Sequence, residues 1–248
     1  MIDTSLIEAF GKIGEPAALL AALHKRFGAR MGIATSGQPT DTAIVALALA
    51  GGAKNPRVYT TDTHRLFPET YTYFETLEKF FNIKIERFTP PEKELTKMIQ
   101  QHGEFLFFDS KDKQEYCCYV RKVLPNQKAL DSLDVWVTGL RRDQSASRAQ
   151  LPRLEIMDHA GRSILKVNPL ADWPEAKVIE YLKSHNIPNH PLFENKLANG
   201  WYYESLGCVI CTTPIAPHEP RRAGRWRWFK SEEDKKECGL HLPETPKS

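Results

Sequence analysis

The sequence predicts an α/β fold, a mostly parallel open sheet with helices on both faces. Three observations carry this expectation. From residue 30 onward, short apolar runs alternate with longer stretches of helical spacing; Gly, Pro or Asp mark the junctions between them; and no internal repeat or low-complexity tract interrupts the pattern.

Met31-Gly-Ile-Ala-Thr35 is the first predicted strand, Asp41 to Ala50 the helix that follows and Arg57 to Thr60 a second strand, together a βαβ unit. A second round starts with Pro68 at a helix start, where the missing N–H has no intrahelical partner to lose. Phe74, Leu77, Phe80 and Phe81 fall at helical spacing, and Ile83 to Ile85 follows as a strand. Asp134 to Thr138, closed by Gly139, makes a further buried strand. Asp172 and Pro174 read as the cap and first position of a helix through Lys183. After about Asn186, Pro, Asn, Gly and aromatic residues replace the periodicity, so this irregular segment is expected to fold over the sheet without extending it. Residues 1–230 are read as one α/β domain, and 231–248, short and charged, as a mobile tail.

With 41% hydrophobic residues, the 248-residue chain can bury a sizeable core. Its 34 Lys and Arg against 31 Asp and Glu leave a net charge of +3, too mild to imply a nucleic-acid partner. Met1 to Pro16 carries Asp3, Glu8 and Glu15 and lacks the basic-then-apolar order of a secretory signal. The apolar stretch Ala43 to Leu49 is far shorter than the roughly 20 residues a membrane helix requires. The expectation is a cytoplasmic protein with no membrane partner, its homo-oligomeric state left open. Five cysteines, odd in number and unevenly spaced, fit metal or thiol chemistry better than a disulfide framework.

Thr35-Ser36-Gly37-Gln38-Pro39-Thr40-Asp41 joins a predicted strand to a predicted helix, where backbone N–H groups and the helix dipole can hold an oxyanion. It is also a plain βα turn with Asp41 or Thr40 as N-cap. It lacks the Gly-Lys-Ser/Thr ending of a Walker loop and the three glycines of a dinucleotide turn.

Cys117-Cys118 and Cys208-Val-Ile-Cys211 supply four thiolates, the number a tetrahedral zinc or an iron–sulfur cluster takes. Each pair alone also fits buried cysteine acting as a small hydrophobe, and the second fits a redox disulfide. Neighbours on a helix project about 100° apart, so adjacent ligands reach a single ion only if the backbone bends, and a multi-iron cluster tolerates them better. Arg121 and Lys122 could offset the cluster's negative charge. Spacing leaves zinc and iron–sulfur both open. The fifth cysteine, Cys238, stands in Lys235-Lys236-Glu237-Cys238-Gly239-Leu240-His241, a polar stretch whose cations would raise the thiolate fraction, although an incidental surface thiol fits too. Two basic clusters complete the inventory. Gly139-Leu140-Arg141-Arg142-Asp143-Gln144 lies at the carboxyl end of a strand, and Arg221-Arg222-Ala223-Gly224-Arg225-Trp226 lies downstream. Each alone reads as a solvated face; together they suggest an anion with several charges.

Taken in order, Asp62-Thr-His-Arg-Leu-Phe-Pro-Glu69-Thr, Cys117-Cys118-x-x-Arg-Lys122, Thr138-Gly-x-Arg-Arg-Asp-Gln144, Cys208-x-x-Cys211, Arg222-Ala-Gly-Arg225-Trp and Lys236-Glu-Cys238-Gly-Leu-His241 resemble the iron–sulfur-containing assimilatory adenylyl-sulfate (APS) reductases. The resemblance runs from about residue 30 to 241. Relatives acting on phosphoadenylyl sulfate (PAPS) often keep the terminal cysteine motif and lack the other four cysteines, so the resemblance points to APS. It implies an adenine-nucleotide α-hydrolase-like fold and a [4Fe-4S] cluster on Cys117, Cys118, Cys208 and Cys211. Ser36 and Gly37 would meet the nucleotide; Asp62, Thr63 and Gly139 would line its pocket; Lys122, Arg142, Arg222 and Arg225 would face phosphate and sulfate, with His241 also at the substrate. Cys238 would be the nucleophile in a thioredoxin-dependent reduction of APS to sulfite and AMP, with thioredoxin or a glutaredoxin-like protein as a separate reductant. The sequence departs from the family pattern in Gln38-Pro39-Thr40 before Asp41 and in Asn195 to Glu204. A PAPS or dual-substrate reductase, an ATP-dependent sulfur or adenylyl transferase and a zinc-bearing nucleotide-binding module are the competing readings.

Overall fold

A computed structural model of the chain describes residues 2–229. Cys238 and His241, and with them the expected tail, lie outside these residues. Two helices come first, α1 (Thr4–Gly11), capped by the Asp3 side chain, and α2 (Pro16–Phe27). Then follow β1 (Met31–Ala34), α3 (Pro39–Ala50), β2 (Arg57–Thr61), α4 (Pro68–Phe81), β3 (Ile85–Phe88) and α5 (Glu92–His102). Helix α6 (Lys111–Cys118) passes through a π-helical turn, Tyr119–Val123, into α7 (Leu124–Leu130). The series ends with β4 (Val135–Val137), β5 (Leu154–His159), β6 (Arg162–Val167), α8 (Glu175–Ser184) and the short α9 (Pro191–Glu194).

Among the described residues the six strands form one sheet in the order β3-β2-β1-β4-β6-β5. Strand β1 runs parallel to β2 and β4, and β4 parallel to β6. Strand β5 runs antiparallel to β6, its partner in a hairpin. The expected mostly parallel sheet is therefore present. Its order reverses at β1 and β4, a topological switch point, and open α/β sheets bind ligands at the carboxyl ends of strands there. Residues 43–48 of α3 are buried on every side, as befits a helix apolar all round.

Several boundaries differ from the sequence expectation. Helix α3 starts at Pro39 rather than Asp41, because proline's fixed φ suits the first helical position and Gln38 stands before it in extended conformation. Thr40 and Asp41 are thus inside the first turn and neither is the N-cap. Strand β3 is Ile85–Phe88, later than the predicted Ile83 to Ile85. On α4, Phe74 and Leu77 are buried as their spacing implies, but Phe80 is 47% exposed. Asp172 does not cap α8, whose N-cap is Pro174; the first-turn N–H of Glu175 donates instead to Asp143 Oδ2 at 2.8 Å. After Asn186 no further strand joins the sheet among the described residues, which matches the loss of periodicity.

The described residues divide into two compact units. One holds residues up to Thr60, Glu69–Glu86 and Ala129–Pro191; the other holds Thr61–Pro68, Arg87–Lys128 and the residues from Leu192 onward. No helix among the described residues is long and apolar enough to cross a membrane.

Candidate functional site

The first unit contains the turn after β1. Gly37 has φ +74°, the left-handed region where a side chain is strained, and this lets the chain turn sharply into α3. Asp41, in the first turn of that helix, is buried and reaches back: its Oδ2 accepts from the Ser36 N–H at 2.8 Å and from the Ser36 hydroxyl at 2.7 Å. Gly37 N–H donates to Thr35 Oγ1 at 3.2 Å. Two of the N–H groups expected to meet an oxyanion are thus engaged by side chains, while Ser36 itself is exposed. Burial pushes the Asp41 carboxyl up, opposed by the bonds from Ser36 and Gln38 and by the Arg141 charge.

Gly139, immediately after β4, lies against this carboxylate. A Cβ there would stand 1.9 Å from Asp41 Oδ1, so only glycine lets the β4 end and the α3 start approach. The two arginines that follow have separate uses. Arg141 is buried, bonded to Thr40 Oγ1 and to Asp143 at 2.9 Å, and ties the first turn of α3 to the β4 loop. Arg142, which the resemblance assigns to the substrate, donates to Leu151 O at 2.9 Å and pairs with Asp172.

The second unit assembles the cysteines. Cys117 and Cys118 end α6, and the π-helical turn follows at once; its wider i→i+5 bonding stacks residues four and five apart. Both thiols, Arg121 and Lys122 consequently line one small cavity. Cys208 and Cys211 close it from a tight turn in which Cys211 N–H bonds Cys208 O at 2.9 Å, anchored by Val209 N–H to Arg65 O at 2.8 Å. Arg65, Phe107 and Gln114 complete the lining.

The cavity is strongly polarised. A hydrogen bond from the Cys211 thiol holds the Cys208 thiol well below its usual range, aided by Lys122, the Thr63 hydroxyl and Arg225 against the effect of burial. The same bond and burial push Cys211 up. Burial pushes Cys117 up against the nearby Arg121 and Arg65. Five buried donors of this unit lack a hydrogen-bond partner among the described residues: Arg65 Nη1, Arg121 Nε, Arg225 Nε, Trp226 Nε1 and Trp228 Nε1. Such groups cost roughly 1–3 kcal/mol each when left unsatisfied, and sulfide or thiolate sulfur in the cavity would accept from the two that line it, Arg65 and Arg121. Four sulfurs, three cations and these donors fit an anionic iron–sulfur group. No three His, Cys, Asp or Glu groups among the described residues are placed to hold one metal ion.

The remaining expected residues are also in this unit. Asp62 is buried, with its N–H on Phe88 O and its Oδ1 accepting from His64 N–H at 2.9 Å. Thr63, expected at the nucleotide, bonds Cys208 Sγ through its hydroxyl at 3.3 Å and accepts from Arg121 at its carbonyl at 2.9 Å. Arg225 is buried against Gly207, where a Cβ would stand 2.2 Å from its Nη1, and bonds Thr212 at 3.3 Å. Arg222 is half-buried, its carbonyl accepting from Arg225 N–H. Sequence reasoning gave no individual role to Arg65, Gln114 or Arg141. The only signals for them were the arginine of Asp-Thr-His-Arg, the four-residue spacing of Gln114 from Cys118 and the doubling of arginines after Gly139.

A family model described as the phosphoadenosine phosphosulfate reductase domain matches residues 31–214. The chain is 36% identical over 231 residues to an adenosine 5′-phosphosulfate reductase of Rhizobium meliloti (strain 1021), covering 93% of this chain and 82% of the relative. It is 38% identical over 235 residues to one from Burkholderia cepacia, covering 95% and 89%. Its fold resembles the crystal structure of phosphoadenylyl-sulfate (PAPS) reductase from Candida auris in a phosphate complex, with a TM-score of 0.67 and 21% identity, over 86% of this chain and 98% of that one.

Proposed function

Because the chain belongs to the phosphoadenosine phosphosulfate reductase family, we propose that it is an oxidoreductase acting on a sulfur group, which reduces adenylyl sulfate to sulfite and AMP. The observation that carries this reading is the cavity of four cysteines lined by Arg65, Arg121 and Lys122, in a chain whose relatives bear the name of that activity.

The Cys238 thiolate attacks the sulfur of APS, the bond from sulfur to the phosphate oxygen breaks, and AMP leaves with that electron pair. The enzyme then carries a cysteine S-sulfonate. One thiolate of a dithiol protein, thioredoxin or a glutaredoxin-like reductant, attacks Cys238 Sγ and expels sulfite; its second thiol resolves the mixed disulfide and returns Cys238 as thiolate. The reductant ends oxidised to its disulfide, which supplies the two electrons. The family resemblance assigns Ser36, Gly37, Asp62, Thr63 and Gly139 to the nucleotide, and Lys122, Arg142, Arg222, Arg225 and His241 to the charge on the phosphosulfate. Residues 1–230 act as one reductase domain and 231–248 carry the nucleophile. The protein works in the cytoplasm, in sulfate assimilation.

Cys117, Cys118, Cys208 and Cys211 would hold a [4Fe-4S] cluster. When bound, the cluster would supply negative charge beside Arg65, Arg121 and Lys122, and it need not change oxidation state. The shared cavity of the four sulfurs with Arg65, Arg121 and Lys122 supports this reading, since nearby cations favour thiolate, the ligand form.

The test is the intact mass of anaerobically purified protein incubated with APS or PAPS without reductant, then with reduced thioredoxin. The expected result is a sulfo adduct with APS that thioredoxin removes as sulfite, absent from Cys238→Ser. An adduct formed equally with PAPS would make the enzyme a dual reductase. No adduct with either nucleotide, on iron-loaded protein, would sink the proposal.

A further inference from the structure

We propose that Gln114, itself held by Lys111, is a positioning residue for Cys118 that donates a hydrogen bond to its sulfur and so sets the orientation and electron density of one cluster ligand. The inference rests on the cluster reading above.

Gln114 is 1% exposed on α6, and a buried amide is costly unless both of its ends are bonded. Here both are. Its Nε2 donates to Cys118 Sγ at 3.0 Å, and its Oε1 accepts from Lys111 Nζ at 3.0 Å. Lys111, Gln114 and Cys118 stand at i, i+3 and i+7, one stripe of the helix, so the relay is written into the helical repeat. An ammonium only donates, so it selects the oxygen end of the amide and leaves the N–H end to face sulfur. Lys111 is fixed in turn over two aromatic faces, 5.4 Å from the Trp226 ring centre and 5.5 Å from that of Phe229.

An N–H···S bond withdraws electron density from a thiolate, and hydrogen bonds to ligand sulfurs are a principal means by which a protein tunes an iron–sulfur centre. Without the bond, the Cys118 sulfur would be more basic and its rotamer less restrained. Gln114 does not touch the reacting atoms; its effect reaches them only through Cys118.

Full-length protein, purified anaerobically as wild type, Gln114→Met and Lys111→Met, tests this by iron content, the iron–cysteine stretching bands in resonance Raman spectra and the rate of iron release to a chelator. In Gln114→Met one stretching band should move to higher frequency and iron release should quicken several-fold, with helical content unchanged. Lys111→Met keeps the amide but lets it turn, so a smaller shift in the same direction is expected, and this variant decides the matter should Gln114→Met fail to fold. Iron-loaded variants with wild-type bands and release rates would overturn the role of Gln114 and leave the cluster reading standing. Wild-type protein without iron would overturn both.

Discussion

The turn after β1 and the cysteine cavity are both built from buried polar groups, but they differ in how those groups are satisfied. Around the turn, Ser36 answers Asp41, Thr40 answers Arg141, and Gly139 makes room for the carboxylate. Around the cavity, Arg65 and Arg121 keep buried nitrogens with no partner among the described residues, beside one thiol held down and two pushed up. A network that closes on itself specifies a backbone shape. One that leaves buried donors over can be completed by a bound group, an ion or water.

The largest test of that contrast is Cys118→Ser. With one of four sulfurs gone, iron and sulfite formation should disappear together, measured by iron and sulfide analysis beside the activity assay; an active, iron-free variant would remove the distinction. Gly139→Ala attacks the other region. Its Cβ cannot coexist with Asp41 Oδ1, so the carboxylate must leave Ser36, with an expected loss of about 2–3 kcal/mol in denaturant unfolding and weaker AMP binding, while the iron content stays unchanged. Equal loss of iron would show that the two regions are not separable.

A smaller, pH-dependent effect belongs to His190, which is buried with Nε2 bonded to Thr70 Oγ1 at 2.9 Å and its ring beside Gly37 and Tyr73. Burial pushes its pKa down from 6.5 to about 4. The unfolded chain therefore takes up a proton first as pH falls, so this contribution to stability is complete above pH 6.5 and is lost between there and about pH 4. Thermal unfolding of His190→Gln should lose that part of the slope, and an unchanged profile would place the acid sensitivity elsewhere. The smallest expected effect is His64→Gly. His64 is exposed at φ +58°, where an L-residue is disfavoured, and glycine should stabilise by up to about 1 kcal/mol. Destabilisation would mean that the side chain makes a contact worth more than the backbone strain.

Much of the architecture was legible because it is local. The β1 and β4 strands, the start of α4 at Pro68 and the end of periodic structure after Asn186 follow from patterns within a few residues. The displaced start of α3 has a local cause. Gln38-Pro39-Thr40-Asp41 offers several starts for α3, and the preference of proline for the first helical position outweighs the capping preference of Thr and Asp. The four cysteines were legible as a set by spacing and order, and the cavity brings them together.

The sequence by itself determined the βαβ start, β4, α4, the cysteine quartet and the family motifs, since propensity, periodicity and motif spacing all reside in neighbouring residues, but it did not yield the β5–β6 hairpin or the helices α1, α2 and α5 to α7. Tertiary structure alone decided which polar group meets which. Thr63 bonds Cys208 across 145 residues of chain, and Arg141 rather than Arg142 bonds Thr40 across 101. Those pairings depend on strand order, on the π-helical turn and on the approach of Gly139 to Asp41, none of which a run of adjacent side chains encodes, because a hydrogen bond is chosen by position in space and not by distance along the chain.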